Sequence, residues 1–108
     1  MSRELTEVCE RINKARDYYD QCKLGLPADQ SKVLRALSVS YSELAEYRIE
    51  YHNQWLDAYN KADGTNAAKE RTADNEVREL YLCRQIMNTT KELISSIRST
   101  LSTAKNNS

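Results

Sequence analysis

Only three of the 108 residues, Gly25, Pro27 and Gly64, are strong helix breakers. A sandwich or barrel needs turn residues at intervals of roughly 8–12 positions, so this scarcity excludes both. What remains is a chain of long helices with two short connections, one near Gly25-Leu26-Pro27 and one at Asp63-Gly64-Thr65. The fold class expected is all-α. A long antiparallel helical hairpin carries a shorter N-terminal helix, in the manner of a three-helix bundle or coiled coil. The chain reads as a single helical domain over 1–108, with helices at about 3–24, 28–63 and 66–104 and a frayed tail at 105–108.

Periodicity supports each segment. In the first, Leu5, Val8, Ile12, Ala15, Tyr19 and Cys22 recur at alternating steps of three and four, an unbroken heptad seam. In the second, Leu34, Leu37, Tyr41, Leu44, Arg48, Tyr51, Trp55, Ala58 and Ala62 keep the same alternation. In the third the seam is Ala73, Glu76, Leu80, Cys83, Met87, Thr90, Ile94, Ile97, Leu101 and Ala104, widened by Val77, Ile86 and Leu93. The run Thr72-Ala73-Asp74-Asn75 has poor helix propensity, which predicts local softness or a kink but not a break. Gly64 suits a left-handed cap, and Thr65 or Asn66 suits the start of the next helix. Arg48 and Glu76, both charged within a seam, are candidates for a register-setting ion pair.

At about 1.5 Å per residue the second and third helices each measure roughly 50–58 Å, and the first about 32 Å. The first therefore covers the second only up to about Ile49. Beyond that level the second helix carries another apolar stripe, Ala45, Ile49, His52, Leu56 and Tyr59, at steps of 4, 3, 4 and 3. A helix with two apolar faces needs two neighbours. The stripe is expected to meet another chain, most simply a second copy in a homodimer; partial exposure, or a bent first helix, is the alternative. The interface residues expected are Ile49, His52, Trp55, Leu56 and Tyr59.

Charge is balanced, with 16 basic and 16 acidic residues, so no bulk field attracts nucleic acid. A local basic row remains: Arg84, Lys91, Arg98 and Lys105 recur every seven residues, and Glu43, Glu50 and Asp57 form a matching acidic row on the second helix. The plain reading is a solvated flank that sets orientation. The sharper one is a phosphate-contacting stripe that would make nucleic acid a partner. No aromatic residues interleave with the row, which removes the single-strand stacking platform.

No catalytic constellation emerges. His52 is the single histidine and has no serine or cysteine in a nucleophile context nearby; a packed or interface role fits it better than that of a general base. The seven tyrosines stand in for the absent phenylalanine as large residues with a water-seeking tip. Gly25 and Gly64 stand alone, so no phosphate loop forms. Cys9, Cys22 and Cys83 match no zinc spacing and read as reduced thiols. No metal, no cofactor and no membrane span are expected. With no basic leader before an apolar stretch, the location expected is cytoplasmic.

The run Glu46-Tyr47-Arg48-Ile49-Glu50-Tyr51, followed by Trp55-Leu56, Ala58-Tyr59, Ala62 and Gly64-Thr65, resembles a group of small helical-hairpin proteins encoded by tailed bacteriophages. Lys69, Thr72-Ala73-Asp74, Ile97-Arg98 and Leu101-Ser102 extend the likeness, which spans about residues 46–102 and leaves out the first helix. The group supplies no assigned activity and no catalytic residues. The resemblance implies a phage origin and the cytoplasm of a host cell. The expected role is a non-enzymatic protein–protein interaction module that binds a larger protein, as an adaptor or accessory of a DNA recombination or replication complex. The alternatives are a small inhibitor of a host enzyme or defence complex and a direct nucleic-acid binder.

Overall fold

The computed structural model describes residues 3–21 and 27–106, and side chains within 3–21 and 28–102. Four helices follow in order: α1 (Arg3–Gln21), α2 (Pro27–Lys61), α3 (Asn66–Glu76) and α4 (Arg78–Asn106). No strand occurs among the described residues. The molecule is a rod of 62 × 25 × 17 Å. The seam position of Cys22, the stop at Gly25 and the end of the tail lie outside the described residues.

The connection predicted at Gly64 forms as its residues dictate. Gly64 adopts φ 107°, a left-handed conformation that a side chain would strain. Thr65 then caps α3, its hydroxyl accepting from the Ala68 amide at 3.2 Å. Pro27 is the first residue of α2, where its missing N–H costs nothing.

The third segment is not one helix, contrary to the expectation of a kink without a break. Val77 leaves the helical region, at φ −122° and ψ 63°, and separates α3 from α4. Its amide still donates to the Ala73 carbonyl at 2.9 Å, closing α3, and its own carbonyl accepts from the Leu80 amide at 3.3 Å. Two local features weaken the helix just before it. The Thr72 hydroxyl donates to the Ala68 carbonyl at 3.0 Å, and the Asp74 carboxylate is drawn to α2. Val77 is buried while Glu76 is exposed, so Val77 takes the seam place assigned to Glu76.

In α1, Leu5, Val8, Ile12 and Tyr19 are buried, and in α4 the line from Leu80 to Leu101 is buried throughout. In α2 the seam splits into depths. Leu37, Leu44, Tyr51 and Ala58, spaced by seven, are buried, whereas Leu34, Tyr41, Arg48 and Trp55 are half-buried at its flank. Arg11 pairs with Glu43 through both terminal guanidinium nitrogens, Nη1 at 3.0 Å from Oε1, tying α1 to α2. Glu4 lies near enough to Tyr47 to act on its phenol, which places the start of α1 near the Tyr47–Glu50 level. The Tyr19 hydroxyl is 3.4 Å from that of Thr100, joining the far ends of α1 and α4. Three helices thus form one end of the rod, and a hairpin of α2 with α3 projects beyond Ile49.

Candidate functional site

The hairpin end is organised by three aromatic residues of α2 at steps of three and four. His52 stacks on Trp55 with ring centroids 6.2 Å apart and planes 4° from parallel, and Trp55 stacks on Tyr59 at 5.4 Å and 18°. Each ring has one apolar body to bury and a polar tip to satisfy. The Trp55 indole Nε1 donates to Asp74 Oδ1 at 2.8 Å, and the Tyr59 hydroxyl donates to Asn66 Oδ1 at 3.1 Å. The Lys69 ammonium lies 5.8 Å from the centre of the Tyr59 ring. The ladder therefore fastens α3 to α2.

At the Val77 break this ladder opens into a cleft of about 640 Å³. His52 and Trp55 form one wall. Asp74, Asn75, Val77, Arg78, Glu79, Leu80, Tyr81, Leu82 and Arg84 line the rest. His52 Nδ1 is buried and has no hydrogen-bond partner among the described residues. Tyr81 is 64% exposed at the mouth, its hydroxyl accepting from Gln85 Nε2 at 2.6 Å. The cleft combines an aromatic wall with guanidinium and carboxylate groups, a composition suited to holding an anchoring side chain.

The stripe expected to bind a partner is divided. Ile49 and Leu56 are 56% and 40% exposed and point away from the core. His52, Trp55 and Tyr59 are half-buried in the ladder, turned toward α3. The basic row is likewise mixed: Arg84, Lys91 and Arg98 are exposed on α4, with Arg84 at the cleft. Lys105 lies on the last turns of α4, its side chain outside the described residues. The ion pair expected between Arg48 and Glu76 is not formed. Ion pairs among the described residues are Arg3–Glu7, Arg11–Glu43 and Lys61–Asp57. The Cys83 thiol donates to the Leu44 carbonyl at 3.2 Å, and this register sets Arg48 level with about residue 79, a turn from Glu76.

Burial pushes the Cys83 thiol above its ordinary range, with Arg48 opposing in part, and burial raises Cys9 as well. The hydrogen bond to Glu43 raises Arg11 further. Among the described residues, no group of three His, Cys, Asp or Glu side chains is placed to hold a metal ion. No described helix is long and apolar enough to cross a membrane. Sequence periodicity missed Asp74, Arg78 and Tyr81 as site residues. The available signal was Tyr81, a large aromatic residue lying off the seam. No family model, no curated protein and no solved structure matches the chain.

Proposed function

We propose that the chain is a non-enzymatic interaction module that docks on a larger protein through the cleft at the Val77 break. The observation that carries this reading is the cleft itself: an aromatic wall, a largely exposed Tyr81 and two arginines at one place where the helix is interrupted. Tyr, Trp and Arg are the residues that most often anchor protein interfaces. Ile49 and Leu56 supply a second, separate apolar surface. The resemblance of residues 46–102 to phage hairpin proteins favours an adaptor of a DNA recombination or replication complex as the specific role.

Affinity capture from phage-infected cells, with wild type beside a Tyr81→Ala, Arg84→Glu variant, tests the reading. Phage recombination or replication proteins recovered by wild type and lost with the variant are the expected result. A host enzyme or defence component recovered in the same pattern would replace the adaptor role with inhibition. Recovery indifferent to the variant would remove the cleft from the docking surface.

A further inference from the structure

α2 carries a third line of residues along its length, and nothing among the described residues covers it. From Lys32 to Leu56 it advances by alternating steps of three and four, and every residue on it is exposed. Val39, Ile49 and Leu56 on this line are 53%, 56% and 40% exposed. Any helix face repeats at this spacing; what marks this one is that three of its eight residues, Val39, Ile49 and Leu56, are large apolar side chains left in water.

The line is also ordered by charge. Between Ser31 and Ser42 the charged residues are Lys32 and Arg35, both basic. Between Glu43 and Asn60 the exposed charged residues are Glu46, Glu50 and Asp57, all acidic. Among the described residues, Lys32, Arg35, Glu46 and Glu50 have no ion-pair partner in the chain, whereas Asp57 is held by Lys61. Beside the basic half, α1 and α2 enclose a groove of about 600 Å³. Its apolar lining includes Ala15, Val33 and Ala36, and Lys14, Lys32 and Arg35 are its basic members beside the committed Arg11.

We infer that this face is the docking surface for a second copy of the chain, packed antiparallel through α2. A two-fold axis at the level of Leu44 superimposes the line on itself. Val39 then meets Ile49 of the second copy, Lys32 meets Leu56, Arg35 meets Asn53 and Ser42 meets Glu46. Leu56 of each copy enters the groove of the other. Arg35 and Lys32 come between the second copy's Glu50 and Asp57, one turn to either side of Asn53. A parallel arrangement would set basic against basic and acidic against acidic. Charge order therefore selects the antiparallel one.

The line is about 36 Å long and a helix about 10–12 Å wide, giving roughly 400 Å² on each copy. The total over both copies, about 800 Å², lies below the roughly 1,200–2,000 Å² of stable complexes, so the dimer is reversible and sensitive to salt. The inference rests on the reading of the chain as an interaction module but uses a face distinct from the cleft.

Sedimentation equilibrium of the full chain, from micromolar to submillimolar concentration and at low and high salt, provides the test. The expected result is a monomer–dimer equilibrium that weakens with salt. Lys32→Glu with Arg35→Glu weakens it at least tenfold, Glu46→Lys with Glu50→Lys does the same, and mixing the two variants restores a heterodimer. Register is read separately in a chain with Cys9, Cys22 and Cys83 replaced by serine. A mixture of Val39→Cys and Ile49→Cys chains forms a disulfide-linked dimer, and neither chain does so alone. A monomer at every concentration, or a dimer indifferent to the charge reversals, overturns the inference. Either result leaves the cleft reading to stand or fall on Tyr81 and Arg84.

Discussion

Below the level of Ile49 the rod is held by apolar side chains from three helices, Leu5, Val8, Ile12, Leu37, Leu44, Ile94 and Ile97 among them. Above it, α3 buries Ala73 alone and is fastened to α2 by an aromatic ladder, two side-chain hydrogen bonds and a capped turn. A buried aliphatic side chain contributes roughly 1.5–3 kcal/mol, whereas a hydrogen bond contributes a net of roughly 0.5–1.5 kcal/mol. The apolar end therefore sets the stability of the whole, and the hairpin end opens first. The cleft lies at the boundary between the two, where the helix is already interrupted.

The largest effect expected is from Leu44→Ala at the apolar end. It leaves a cavity where the side chain is fully buried and costs about 2–5 kcal/mol, measured by urea unfolding followed by circular dichroism. At the hairpin end, Asp74→Ala removes the Trp55 partner at a cost of about 1 kcal/mol. Trp55 is the only tryptophan, so its fluorescence reports this end alone. Asp74→Ala should shift the fluorescence transition and raise amide exchange within 66–76, with little change in the circular dichroism midpoint. If both probes move together in both variants, the ends are one cooperative unit and the contrast fails.

The smallest effect concerns pH. Burial holds the folded Cys83 thiol above its ordinary value of 9.0, so the folded state keeps its proton where the unfolded chain loses it. The resulting stability is fully present below about pH 9 and is lost as pH rises toward the folded value. Cys83→Ala should flatten the fall in stability above pH 9, and an unchanged slope would assign that fall to other groups. Alkylation of Cys83 should be slow in the native protein for the same reason.

Helix content, the turn at Gly64 and the alternation of buried residues along α1 and α4 were legible because each follows from local rules: few breakers, one left-handed glycine, a 3.6-residue period. Two kinds of feature were not. Periodicity carries Glu76 and Val77 with nearly equal weight, since both lie near one face. The Thr72 back-bond and the pull of Asp74 toward Trp55 weaken the helix there, and tertiary packing buries Val77 and leaves Glu76 exposed. Similarly, Ile49, His52, Leu56 and Tyr59 share a stripe in the sequence, yet the structure turns His52 and Tyr59 onto Trp55 and leaves Ile49 and Leu56 in water.

By itself, then, the sequence determined that this chain is helical, where it reverses and which stripes are apolar, because those depend on backbone propensity and the helical period. The tertiary structure decided which stripe found a neighbour, where the third segment was interrupted and what gathered beside Trp55. Those depend on the relative placement of helices, which residues far apart in the chain settle together by competing for the same buried space.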